Sequence, residues 1–206
     1  MYDALIQNAT GIGMAINALM LLIWLVYLQL FLFTVQDQKR PALHIDRGAA
    51  KDESARLTVT NIGREAVYLV AIVMDFGNRD GTSRAVVTDR SETRPEDVSH
   101  HMDRTNQGPL REGEIRDIGS LGNLLDRARR RLTVPVDIGS VDQVWISAVA
   151  ISHNGRRLVA ASKAFTLDHY DAETTLLTPD TVFTTQVRSP LKRRKLLAWL
   201  EDRDEV

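Results

Sequence analysis

The chain has 206 residues, with 26 lysines and arginines against 27 aspartates and glutamates, no cysteine, and a formal net charge of −1. A near-neutral chain with 6% aromatic residues lacks the basic footprint of a nucleic-acid binder. The absence of cysteine excludes a disulfide-stabilised ectodomain.

The first element is GIGMAINALMLLIWLVYLQLFLFTV, residues 11 to 35, inside a stretch uncharged from Ala4 to Gln36. At about 1.5 Å per residue, about 24 helical residues reach about 36 Å and cross a hydrocarbon layer of about 30 Å. The rest of the chain is ordinary in polarity and could not enclose such a helix. A cleaved signal peptide needs a basic n-region and a small-x-small site, whereas this chain opens on MYDAL and continues through FLFTVQDQK. The pattern predicts a retained transmembrane helix over 11–36, preceded by a short extracytoplasmic N-terminus, 1–10. Lys39, Arg40, Arg47 and Lys51 follow the span and no basic residue precedes it, so residues 41–206 are expected in the cytoplasm. In a bacterium this is the inner membrane.

At about 100° per residue, Gly11, Ala15, Ala18, Leu22, Leu25 and Gln29 fall on one heptad stripe that continues to Leu32 and Gln36. Its small residues permit close approach of a second helix, and Gln29 can bond its own copy across the interface. Asn17 lies on a second stripe with Thr10, Leu21, Trp24 and Leu28. Trp24 and Tyr27 sit near mid-span and read as packing groups rather than as an interfacial belt. The seam predicts a homo-oligomer held by the span.

Beyond Pro41 the period becomes alternating. PALHID, SARLTVTN, REAVYLVAIVMDF, TSRAVVTD, GEIRDIGS, VDQVWISAVAIS and RRLVAASKAFTL are short runs rich in β-branched residues, separated by turn signals such as Gly77–Asn78 and Asn154–Gly155. SHNGRR predicts a hairpin between the last two strands. About seven antiparallel strands over 41–168 resemble the immunoglobulin-like superfold, in architecture only, because the Cys–Trp–Cys signature is missing and the superfold carries no function by itself. SLGNLLDRARRRL predicts an inserted helix over 120–132 with Ser120 as N-cap and a solvated basic face. In AVYLVAIVMDF both alternating faces are apolar: Val67, Leu69, Ala71 and Val73 on one, Tyr68, Val70, Ile72 and Met74 on the other. One face fills the core. The other needs cover from the Leu121 helix, a neighbouring subunit or another protein.

Residues 89–113 form a long polar loop without apolar periodicity, expected to be disordered or partly ordered. It carries Asp97, His100, His101 and Asp103, a poor metal site because adjacent histidines do not readily place both rings on one tetrahedral ion. His44, His153 and His169 are scattered. No phosphate-binding glycine loop, nucleophile elbow or HExxH motif occurs, so neither catalysis nor a cofactor is expected.

After a linker over 169–188, RSPLKRRKLLAWLEDRDEV predicts a C-terminal basic amphipathic helix over 189–206, started by Ser189 and Pro190. Lys192, Arg193, Arg194 and Lys195 lie near its positive dipole end and Glu201, Asp202, Asp204 and Glu205 near its negative end, each unfavourable by roughly 0.3 to 1 kcal/mol at low salt. Leu196, Trp199 and Leu200 form a ridge beside the cations, as in helices that meet anionic lipid or a partner; the alternative is a tail helix packed on its own domain. The whole predicts a non-enzymatic single-span protein that oligomerises in the membrane and displays β-sandwich domains as a scaffold or accessory subunit, with other subunits of a membrane complex as further partners. A homo-oligomeric pore, with Gln29 and Asn17 lining a water path, and a membrane-tethered enzyme or sensor are the competing classes.

Overall fold

The computed structural model describes residues 2–38, 41–78, 81–90, 104–132, 137–152, 157–169 and 175–204. Two compact units divide the chain, Met1–Arg40 and Pro41–Val206.

The first unit is one continuous helix, α1 (Tyr2–Gln38). Its stretch Gly11–Thr34 is long and apolar enough to cross a membrane, and none of it is buried. Neither glycine in it breaks the helix, because unbranched and aromatic apolar residues around them carry the hydrogen-bond ladder. The Thr34 hydroxyl donates back to the Leu30 carbonyl at 2.8 Å, so this polar group is satisfied within the helix.

The second unit is sheet-dominated. One sheet is three-stranded and antiparallel, ordered β1 (Leu43–Arg47), β2 (Arg56–Asn61), β6 (Ile115–Ser120). The other is seven-stranded. Its main path runs β10 (Thr185–Gln186), β8 (Leu158–His169), β7 (Gln143–Ser152), β3 (Val67–Asn78), β4 (Gly81–Val86), while β5 (Gly108–Leu110) pairs with β3 and β9 (Thr175–Pro179) with β8. Leu43, Ile45, Leu57, Val59 and Ile118 from the first sheet meet Ile72, Met74, Phe76, Val144, Ile146 and Phe165 from the second in one continuous core. Phe76 and Phe165 are fully enclosed there, each stabilising by roughly 1.5 to 3 kcal/mol through burial.

Three strands escape the alternation test. β5 and β10 are too short to show a period, and β9 lies with β10 in the stretch 169–188, which therefore builds the sheet rather than linking past it. β7 and β8 pair through Ile151 opposite Leu158, as the hairpin signal requires, although two strands follow them and residues 153–156 lie outside the described ones. Gly77 and Asn78 belong to β3 itself. At Gly77 a Cβ would stand 2.7 Å from the Trp145 ring, so glycine there lets the indole cross the strand.

Strict alternation also fails within β3. The register slips between Leu69 and Ala71, and this bulge moves the inner face from the odd to the even positions. Val67 and Leu69, then Ile72, Met74 and Phe76, point into the common core. Ala71 and Val73 point out, where with Val149 and Ala160 they form a second apolar cluster.

α2 (Leu121–Arg131) follows β6 directly, with the Ser120 hydroxyl accepting from Asn123 N–H at the N-terminus. Leu121, Leu124, Leu125 and Ala128 enter the main core. The cover over Ala71 and Val73 is therefore not this helix but α3 (Pro190–Asp204), whose Leu196, Trp199 and Leu200 lie on the second cluster.

Candidate interaction surfaces

In the continuous helix α1, Gly11, Ala15, Ala18, Leu22, Leu25 and Gln29 share one side. Leu22 and Leu25 are 59% and 52% exposed, and a Cβ at Gly11 would meet nothing within 4 Å. Ala15 and Ala18 on the same side are exposed. Asn17 and Gln29 are exposed as well, and among the described residues neither side-chain amide has a hydrogen-bond partner. In water this costs nothing, but in hydrocarbon an unmade amide bond costs several kcal/mol.

α3 leaves the sheet through Val187, whose N–H donates to Ala160 O at 2.7 Å, and its first turn is fastened by Arg193 Nε donating to Val187 O at 2.7 Å. The ridge faces inward, with Trp199 beneath the Arg84 guanidinium, 5.0 Å from ring centre to charge. Trp199 is thus engaged by its own sheet. Lys192, Arg194 and Lys195 stay exposed. Arg193 is partly covered, and burial, followed by repulsion from Arg157, lowers its guanidinium pKa below the ordinary arginine value.

The end of the body where the chain enters at Ala42 is organised by Asn61, fully buried. Its amide donates to Glu65 O at 2.9 Å and Leu110 O at 3.0 Å and accepts from Gly63 N–H at 3.0 Å. Ile62 and Gly63 N–H both donate to Ala42 O, at 3.0 and 3.2 Å. This network holds Ile62 out in solvent, 61% exposed, beside the strand carrying Ile115, 64% exposed.

Buried charges elsewhere serve the fold. Arg127 is 2% exposed and donates to Val87 O at 3.1 Å and Ile118 O at 3.0 Å. Gly119, at φ +116°, makes room, since a Cβ there would lie 2.8 Å from the Arg127 guanidinium. Lys163, 3% exposed, reaches Asp46 Oδ1 at 3.2 Å and Val182 O at 3.4 Å. Burial raises the Asp46 carboxyl, but hydrogen bonds from the Arg47 N–H and Lys163, with the Lys163 charge, bring it below its ordinary 3.8. Composition gives no hint of either buried cation; the basic run Arg127 to Arg131 reads as one solvated face, and only Arg129, Arg130 and Arg131 are exposed.

The histidines divide. His44 Nδ1 shares a hydrogen bond with the Thr184 hydroxyl at 3.1 Å, and His169 with Thr175 and the Val141 carbonyl. Both fasten neighbouring strands. Within the stretch 89–113, Asp89 bridges Thr105, Arg90 N–H donates to Arg104 O at 2.7 Å, and residues 108–110 form β5 rather than loop, because Leu110 is drawn into the core. Asp97, His100, His101 and Asp103 lie outside the described residues, and among those described no cluster of three metal-ligating side chains occurs. Compared with protein-family profiles, curated proteins and solved structures, the chain finds no match in any of the three.

Proposed function

We propose that this is a non-enzymatic membrane protein with a single span, α1, which self-associates through Gly11, Ala15, Ala18, Leu22, Leu25 and Gln29 and holds the β body in the cytoplasm as a scaffold or accessory subunit. The observation that carries the reading is the pair of unpartnered amides, Asn17 and Gln29, on a 24-residue apolar stretch of which none is buried. Hydrophobicity cannot drive association between helices already dissolved in lipid. Small residues that allow close packing and amides that need partners do so. A heptad seam is a feature that a signal sequence does not need. The basic residues after the span support a cytoplasmic body. For the body we retain the immunoglobulin-like class as part of the proposal, supported by two antiparallel sheets sharing one core.

The test is substitution along the helix in lipid. Ala15→Ile and Ala18→Ile should weaken self-association, measured by energy transfer between labelled copies in vesicles, more than Met20→Ile, which lies about 180° from the seam. Gln29→Leu should weaken it by about 0.6 to 2 kcal/mol. Equal association of all four variants would refute the seam.

A further inference from the structure

The order of charges along α3 opposes the helix dipole, and its placement on the body points to what that order answers. Within the body, Asn61 bonds Leu110 O, Leu110 lies opposite Val67, Val67 opposite Ser152, and Ser152 N–H donates to Arg157 O at 3.0 Å. Ala42, Ile62, Leu110 and Arg157 therefore share one end. α3 starts near that end, with Arg193 close enough to Arg157 for mutual repulsion. It then runs toward Arg84, opposite Asp75 and further along β3. Its cations lie toward the Ala42 end and Glu201 and Asp202 away from it.

The same end carries exposed Arg64 and Arg111 on the loops knit by Asn61, beside Glu65, Glu112 and Glu114; with Arg157, Lys192, Arg194 and Lys195 its cations outnumber those three carboxylates. Among the described residues no carboxylate pairs with Arg64, Arg111, Arg157, Lys192, Arg194 or Lys195. Ala42, where the chain enters the body four residues after Gln38, lies at this end, and Ile62 bonds to it.

We infer that the Ala42 end of the body docks on the anionic leaflet that holds its own span, with Ile62 and Ile115 meeting the interface and Arg64, Arg111, Lys192, Arg194 and Lys195 meeting lipid phosphates and carboxylates. This rests on the spanning reading of α1 and adds an orientation of the body to it. Cytoplasmic leaflets are negative and draw juxtamembrane cations over about a Debye length. The surface supplies the anions that the cations of α3 lack, and the acidic end of α3 points away from it.

The full chain lacks cysteine, so single bimane labels introduced through Ile62→Cys and, for the far end, Asp142→Cys read the orientation directly. In nanodiscs of phosphatidylcholine with phosphatidylserine, a headgroup-spin-labelled lipid should quench the label at position 62 several-fold more than the label at position 142. Quenching at position 62 should fall toward the far-end level in phosphatidylcholine alone, in high salt, and in Lys192→Glu/Arg194→Glu/Lys195→Glu, whereas Glu201→Lys/Asp202→Lys, at the other end of the same helix, should not reduce it. Equal quenching at the two positions, or quenching at position 62 indifferent to phosphatidylserine and to the α3 cations, would overturn the docking. A Val26→Cys label quenched by mid-chain brominated lipid reports the span separately. Its failure overturns the spanning reading, and its success beside equal signals from the two body labels overturns the docking alone.

Discussion

Trp199→Ala removes a contact of α3 with the second apolar cluster and with Arg84. A tryptophan covers about 150 to 250 Å² when buried, and Trp199 remains partly exposed. Taking about 100 Å² of apolar surface removed from water at about 25 cal/mol per Å² gives about 2.5 kcal/mol. Loss of the Arg84 contact at 5.0 Å adds about 0.5 to 1 kcal/mol for a partly solvated cation–π pair. The whole loss need not reach the global stability. α3 is held otherwise by Leu196, Leu200 and the Arg193 to Val187 bond, so it can undock while the two sheets keep their common core. Hydrogen exchange resolved by residue should show amides 194 to 200 losing about 3 to 3.5 kcal/mol of protection, about 140- to 300-fold faster exchange at 1.4 kcal/mol per tenfold. The amides of β3 and β7 should change far less. Unchanged exchange in α3 would refute the view that Trp199 anchors the helix on Ala71, Val73, Val149 and Ala160.

The other expectations are local. Gly77→Ala would put a Cβ 2.7 Å from the Trp145 ring, and the displaced indole should cost about 1 to 3 kcal/mol, read as a lowered urea midpoint. Asp46 has its folded carboxyl pKa below the ordinary 3.8, so its contribution is fully present above that value and is lost as the pH falls through the lower folded value. Asp46→Asn should accordingly flatten the dependence of the urea midpoint on pH in the acid range, and an unchanged slope would contradict the Lys163 pairing. An impermeant maleimide applied to intact cells should label Asp3→Cys and spare Asp142→Cys; the reverse pattern would invert the orientation.

The parts of the fold that alternate or repeat at helical spacing are legible in the residues. α1 needs only length and apolarity, α2 the Leu121, Leu124, Leu125, Ala128 spacing, and β7 with β8 the Asn154–Gly155 signal between two apolar runs. The remaining features depend on contacts distant in sequence. Val70 carries no local mark of the bulge that exchanges the faces of β3, because both faces are apolar and either register buries valine, leucine or isoleucine. The residues alone assign the cover over the outer face to the nearer Leu121 helix or to another molecule, since a ridge at Leu196, Trp199 and Leu200 reads the same whether it meets lipid, a partner or its own sheet. Arg127 looks like its neighbours in the basic run, and only the cradle over Gly119 distinguishes it. The seam and the α3 cations are both visible as patterns, but a pattern on an open surface does not name its occupant.

The central claim is that α1 spans the bilayer and binds its own copy there. The most direct measurement is the mass of the full chain in nanodiscs large enough to hold several copies, compared between the native sequence and Ala15→Ile/Ala18→Ile. The account predicts more than one copy per disc for the native chain at a dilution where the double variant is a single copy. A native chain that enters the discs as one copy across the same range, or that does not enter them at all, contradicts it.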